Sequence, residues 1–232
     1  VVIGSGFISL EFLEIFLKNN LPTTLCVSAN GFWGSILDKR ISEIIENCLR
    51  KNGVTINTGT TPDFIEQENV FLGVGIGIDT NKNFFSDCGL SFENGLIVDS
   101  TLKTNFENIY VAGDLANFES KKLRRRVRYG NWTNAIMSGK CAAANMLSKN
   151  QDYDTLSSYS ISLENLSVVF LGFTGVDAQT QVQTEVNSDM SGAQFFIRNG
   201  KLDGCVLINR SLDRKKYQAI IESREGAETS SA

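Results

Sequence analysis

The chain has 232 residues, with 22 Lys and Arg against 26 Asp and Glu, a formal net charge of −4 and no histidine. A soluble chain of that length can bury a stable core in one or two domains, and its negative charge gives no general drive toward nucleic acid or anionic membrane. The lack of histidine excludes a Ser-His-Asp triad, imidazole acid–base catalysis and histidine metal ligation.

Residues 1–4 read as a short β-branched strand. Ile8 to Lys18 follows with Ile8, Phe12, Leu13, Phe16 and Leu17 at helical spacing, stopped by Asn19, Asn20 and Pro22. Thr23 to Val27 reads as a second strand. Asp38 to Asn52 then sets Ile41, Ile44, Ile45, Cys48 and Leu49 on one stripe, ending at Gly53, and Val54 to Ile56 is the next strand. This βαβαβ order predicts a parallel sheet with right-handed crossovers.

Beyond Gly59 strand-like pieces follow at Asn69 to Ile78, Leu96 to Asp99 and Asn108 to Ala112, then a helix from about Thr133 to Ser148. Strands are expected at Ser167 to Leu171, Gln181 to Val186, Ala193 to Arg198 and Lys201 to Asn209. The last two are joined by Asn199-Gly200, a strong hairpin signal. A helix from Ser211 to Glu222 and a polar, frayed tail complete the chain. The fold class is α/β. No apolar run is long enough to span a bilayer.

Chemistry concentrates at the opening turn, Gly4-Ser5-Gly6-Phe7-Ile8-Ser9. A G-x-G between strand and helix is where backbone N–H groups and the helix dipole receive a pyrophosphate. The third position is Ser9 instead of Gly or Ala, so a tight turn without ligand is the alternative. The second strand ends Cys26-Val27-Ser28, without the acid that accepts from the adenosine ribose of NAD, and no arginine follows at once to favour NADP. NAD and NADP both stay open. Gly73-Val74-Gly75-Ile76-Gly77 is either part of a phosphate site or a glycine-rich strand crossing close to another backbone. Five scattered cysteines form no C-x-x-C pair and read as small core hydrophobes in a reducing compartment. Lys121 to Arg128 carries six positive charges in eight residues and reads as a solvated loop, with a phosphate-binding patch as the alternative. The sequons at Asn131, Asn165 and Asn209 read as chance.

Leu96-Ile97-Val98-Asp99 followed by Tyr110-Val111-Ala112-Gly113-Asp114 resembles the paired segments of the two-dinucleotide flavoprotein oxidoreductases, the pyridine nucleotide-disulfide reductase superfamily. VVIGSGFISLEFLEIF resembles that family's NAD turn, and FLGVGIGIDTN its strand returning to the FAD unit. Arg128, Trp132, Asn134 and Ala135 resemble the segment opening the helix under the flavin. DLANF, SGKCAAANML and AQFFIRNGKLDGCVLINR are similar to the apoptosis-inducing-factor and ferredoxin-reductase-like branch. The family's Glu-His pair before the tryptophan is Gly130-Asn131 here.

The resemblance implies a Rossmann-like NAD(P) unit over residues 1–70, part of an FAD domain over 71–150, a small α/β interface domain over 151–225 and a disordered tail over 226–232. It implies FAD and NAD(P)H as cofactors, with Gly4, Gly6, Phe7, Ile8, Glu11, Gly75, Gly113, Asp114, Arg128 and Trp132 as contacts and no catalytic protein nucleophile. The counterpart of Glu11 reaches toward nicotinamide and flavin, and that of Asp114 bonds the ribityl chain. Hydride would pass from NAD(P)H to FAD and electrons onward to a ferredoxin-like protein, a quinone or oxygen, in the cytoplasm or mitochondrion. No earlier G-x-G-x-x-G is present, so the chain reads as lacking the ADP-binding half of the FAD site. A non-catalytic binding or effector protein is the alternative function.

Overall fold

The computed structural model describes residues 1–28, 31–59 and 70–224. The chain divides into two compact units, one built from residues 1–77 with 160–220, the other from 78–159 with 221–224.

The first unit opens with β1 (Val2–Ile3), α1 (Phe7–Lys18), β2 (Thr24–Val27), α2 (Lys39–Lys51), β3 (Thr55–Thr58) and β4 (Gly73–Val74). The strands are parallel, in the order β3-β2-β1-β4. The βαβαβ pattern read from the sequence is therefore present. Val2, Leu25, Cys26 and Val27 are buried, as a parallel sheet covered on its faces requires. The strand expected from Asn69 to Ile78 is cut to the two residues of β4; Asn69 itself lies outside the described residues. Beyond β4 the chain leaves the extended region at Gly77, with φ +101, and Ile76 and Ile78 are exposed.

Asp38 caps α2. Its carboxylate accepts from the Arg40 backbone N–H (2.9 Å) and from Arg40 Nε (3.0 Å), and those bonds to Arg40 hold the Asp38 carboxyl below the usual carboxylate range. The apolar stripe of Ile41, Ile44, Ile45, Cys48 and Leu49 is fully buried.

The second unit contains α3 (Lys82–Asp87), β5 (Leu96–Ile97), a 3-10 turn at Gly113–Leu115, β6 (Ala116–Ser120), β7 (Arg125–Arg128) and α4 (Trp132–Met146). β5 runs parallel to β6, and β6 pairs antiparallel with β7. Phe118, wholly buried, packs its ring edge-on against Tyr129 (5.8 Å) and Tyr153 (5.0 Å). Two expectations are corrected. The segment 108–112 is not a strand but makes one antiparallel bridge, Lys103 with Tyr110, because its next groups turn directly into the 3-10 turn. The basic run is not a solvated loop: its second half is β7. Val127 and Leu123 are buried, and Arg126 donates to the carbonyls of Val98 (2.8 Å) and Asn117. Lys121 pairs with Asp152, and Lys122 with Glu222 at 4.0 Å. Buried carbonyls and local carboxylates thus use these charges, and alternation of side chains, hidden by the arginines, was the strand signal.

After β8 (Ser158–Leu163) come β9 (Leu166–Gly172), β10 (Thr180–Val186), β11 (Gly192–Arg198), β12 (Lys201–Ile208) and, beyond a 3-10 turn at Ser211–Asp213, α5 (Arg214–Ser223). The sheet order is β10-β11-β12-β9-β8, with β9 to β12 antiparallel. The Asn199-Gly200 hairpin forms as expected, both residues at positive φ (52° and 71°). This sheet receives α2: a Cβ on Gly192 would lie 2.8 Å from Ile41 Cδ1 and 3.0 Å from Ile44 Cδ1, so only glycine lets the helix seat there. The tail from 226 lies outside the described residues.

All five cysteines are free. Cys26, Cys48, Cys141 and Cys205 are buried, and burial pushes each thiol above its ordinary range, whereas Cys88 is exposed. A thiol titration of the native protein with a disulfide reagent near neutral pH is expected to show one rapid equivalent, lost in Cys88→Ser, and the other four only after denaturation. Two or more rapid equivalents would contradict the packing.

Candidate functional site

The turn from β1 into α1 is closed by interlocked glycines. Gly4 sits at φ +120, its N–H donating to the Cys26 carbonyl (2.9 Å), while the Gly75 N–H donates to the Ile3 carbonyl (2.8 Å). A Cβ on Gly4 would stand 2.7 Å from Ser9 Oγ and 2.7 Å from the Gly75 carbonyl carbon. A Cβ on Gly75 would stand 2.8 Å from the same Oγ. Ser9 is wholly buried, and its hydroxyl donates to the Gly75 carbonyl at 3.4 Å. The departure from Gly or Ala at this position is therefore accommodated by the missing side chain of Gly75. The GVGIG segment is, as its alternative reading held, a strand crossing close to another backbone.

In front of this turn opens a cleft of about 730 Å³, floored by Gly4, Ser5 and Gly6 and walled by Ser28, Gly59 and Gly75. Among the described residues its lining carries no charged side chain. Gly6 offers no capping side chain to α1, so the first N–H groups of a 12-residue helix, with the positive end of its dipole, face that space uncompensated. Backbone donors without a competing side chain are what an anionic pyrophosphate needs.

The rim of the cleft is set by Trp33, Gly34 and Ser35, which sequence reading missed. The Trp33 N–H donates to the Ser5 carbonyl (3.0 Å), and Trp33 is held at φ +46. Its ring packs on Phe7 (4.8 Å), Phe32 (5.7 Å) and Phe170 of β9 (5.0 Å). Gln194 of β11, completely buried, fastens the far end of the same loop. Its Oε1 accepts from the Asp38 N–H and its Nε2 donates to the Ile36 carbonyl, both at 2.7 Å. The sequence signal for the rim was the glycine pair in GFWGS; nothing in AQFFIR marked Gln194.

Of the expected contacts in this unit, Gly4, Gly6 and Gly75 line the cleft. Phe7 lends its ring to the aromatic cluster, and Ile8 and Glu11 stand exposed on α1 outside the lining.

The remaining four, Gly113, Asp114, Arg128 and Trp132, are gathered in the second unit. Gly113 adopts φ +69, and its N–H donates to Ser138 Oγ (2.8 Å), which donates on to the Asn134 carbonyl (2.6 Å). Asn134, buried, donates to the Tyr129 carbonyl and accepts from the Tyr153 hydroxyl, both at 2.8 Å. Asn131 caps α4 by accepting from the Asn134 N–H (2.9 Å). Arg128 Nη1 donates to the Asp114 carbonyl (2.8 Å), leaving its buried Nε without a partner among the described residues. The Asp114 carboxylate, half-buried, lies against Gly130, where a Cβ would stand 3.4 Å from Oδ2, and Trp132 is 81 % exposed. An acceptor carboxylate, an orphaned guanidinium N–H and a helix N-terminus lie together here, a donor and acceptor set that fits the ribityl and ring oxygens of a flavin.

One unit with a parallel sheet ending in a glycine turn before a cleft, and another holding a Gly-Asp turn, define an α/β protein of dinucleotide-fold type. The family model described as pyridine nucleotide-disulphide oxidoreductase matches residues 1–139, and the chain belongs to that family. Putidaredoxin reductase of Pseudomonas putida is 29 % identical over 167 residues, covering 64 % of this chain and 40 % of that protein. Rhodocoxin reductase of Rhodococcus erythropolis is 26 % identical, covering 95 % and 55 % respectively. Among solved structures, NADH:rubredoxin oxidoreductase from Clostridium acetobutylicum superposes with TM-score 0.77 at 19 % identity, over 100 % of this chain and 60 % of that one. The chain spans about half the length of the curated relatives it matches. Among the described residues no helix is long and apolar enough to cross a membrane.

Proposed function

We propose that this chain carries the NAD(P)H-binding half and part of the flavin-binding half of a flavoprotein reductase that passes electrons to a small redox protein. The observation that supports it best is the Gly4–Gly75–Ser9 interlock, which presents bare backbone and the α1 N-terminus to an uncharged cleft. The names of the relatives, reductases of putidaredoxin, rhodocoxin and rubredoxin, favour a small redox protein as acceptor over a quinone or oxygen.

In this reading Gly4 and Gly6 let the pyrophosphate approach, α1 contributes its N–H groups, and Trp33 and Ser35 close the rim over the nucleotide. Asp114 accepts from ribityl hydroxyls, and Arg128, steadied by the Asp114 carbonyl, offers its Nε to the flavin. A flavin held by these residues would supply the hydride acceptance and one-electron release, so no protein nucleophile is required. Glu11, exposed on α1, is free to orient toward bound cofactor.

The protein is expected to bind NADH with quenching of tryptophan fluorescence and, on incubation with FAD followed by gel filtration, to retain a visible flavin spectrum that NADH bleaches. Asp114→Ala is expected to weaken FAD retention about tenfold or more, the value of a hydrogen bond to a charged acceptor, with NADH binding unchanged. Equal FAD retention by the variant would overturn the role of Asp114. A wild-type chain that binds no NADH would overturn the reading as a whole.

A further inference from the structure

The adenosine ribose of NAD has no acid at the end of β2, which closes on Ser28. A second cavity of about 470 Å³ lies next to the first, sharing Gly34 with it, and is walled by the inner side of α2. Ser42, on that wall, is 2 % exposed, and its hydroxyl is buried without a hydrogen-bond partner among the described residues. An unsatisfied buried hydroxyl is destabilising unless something else bonds to it. One turn further, the Glu46 side chain is 13 % exposed. Its Oε2 is held by Arg50 Nη2 at 3.0 Å, and its Oε1 has no hydrogen-bond partner among the described residues. Gly31, at φ +74, faces both atoms: a Cβ there would stand 2.7 Å from Glu46 Oε1 and 2.7 Å from Ser42 Oγ. The loop thus carries glycine where any other side chain would stopper the two oxygens.

We propose that Glu46 and Ser42 bind the two adenosine ribose hydroxyls, replacing from α2 the acid that β2 lacks, and so select NADH over NADPH. The proposal rests on the nucleotide reading of the Gly4 cleft. A carboxylate oxygen accepts from a ribose hydroxyl, and a serine hydroxyl both donates and accepts, so together they match a vicinal diol. A 2′-phosphate at the same place would meet the Glu46 carboxylate. The cations nearby are engaged: Arg50 by Glu46, Arg40 by Asp38, and Lys39, 88 % exposed, by Glu43 at 3.8 Å. Of the three, Lys39 alone borders the cavity, and Glu43, on the same wall, stands against it with Glu46, so the wall carries two carboxylates to one cation where a 2′-phosphate would need the reverse.

The test is fluorescence titration of the full chain with NADH and with NADPH. The wild type is expected to bind NADH about tenfold or more tighter, and Glu46→Gln to reduce that preference to about threefold or less, chiefly by weakening NADH. Ser42→Ala, which removes only a hydroxyl, is expected to weaken NADH several-fold with an unchanged melting temperature, so loss of fold does not mimic the effect. A wild-type preference for NADPH, or a Glu46→Gln ratio equal to wild type, overturns this assignment while leaving nucleotide binding intact. Failure of the wild type to bind either nucleotide overturns the underlying reading instead.

Discussion

Gly4→Ala is expected to cost the first unit about 4 kcal/mol or more and to abolish nucleotide binding. Two effects add. At φ +120 an L side chain is strained by about 1–3 kcal/mol wherever it sits. At Gly4 the new methyl would also lie 2.7 Å from Ser9 Oγ and within the radius of the Gly75 carbonyl, and neither neighbour is the flexible end of a long side chain. The sheet between β1 and β4 must open, which moves the cleft floor. Gly53→Ala separates the two effects. Gly53 has φ +82 with nothing within 4 Å of the added atom, so only conformational strain is paid there, about 1 kcal/mol. Urea unfolding of both variants checks the difference, and equal losses at the two glycines would show that the interlock is not what holds the turn.

Gln194→Leu has the second-largest expected effect, about 3 kcal/mol of stability, because two main-chain groups lose their partner in one change. The Asp38 N–H and the Ile36 carbonyl are bonded by opposite ends of one amide, and an apolar replacement satisfies neither. Leaving a buried group of this kind unpaired costs about 1–3 kcal/mol, and these two, being part-buried, fall in the lower half of that range each. The loss should not stop at stability. Residues 33–35 form the cleft rim and depend on that clamp at one end and on the Trp33–Ser5 bond at the other, so NADH affinity is expected to fall well before the fold is lost. Gln194→Glu is the informative comparison: it keeps the acceptor for Asp38 but sets a second carboxylate oxygen against the Ile36 carbonyl in a completely buried site, so its loss should match or exceed that of the Leu variant. A Leu variant with wild-type melting and wild-type NADH affinity would refute the clamp.

What the sequence made legible was periodic or punctuated. The α2 stripe from Ile41 to Leu49, the β1 turn with its glycines and the Asn199-Gly200 hairpin each carry their own local signal, and each is present. Gly113, Asp114, Arg128 and Trp132 were gathered by resemblance, and they do lie in one unit. What failed to show were elements whose cause is distant. β7 is a strand because it pairs with β6, from Asn117 opposite Arg128 to Ser120 opposite Arg125, and its Arg126 is held by the Val98 and Asn117 carbonyls, partners that KKLRRRVR does not name. α3 buries none of its residues and so leaves no stripe. Glu46 and Ser42 looked like ordinary positions on a helix until Gly31 was seen to face them. Gln194 sits in an apolar strand and is understood only from a loop more than 150 positions away.

The seating of α2 on the antiparallel sheet bears on how the molecule comes into being. Its stripe, Ile41 and Ile44 included, is covered by strands from the last quarter of the chain, β11 foremost. While the ribosome is still making the intervening second unit, that stripe has only the neighbouring β3 to rest on and much of it stays open to water. Closing the first unit therefore waits until residues near 208 have emerged, a long loop closure of the kind that slows folding. In the interval the nascent helix, apolar along one side and already capped by Asp38, is the natural handle for a chaperone.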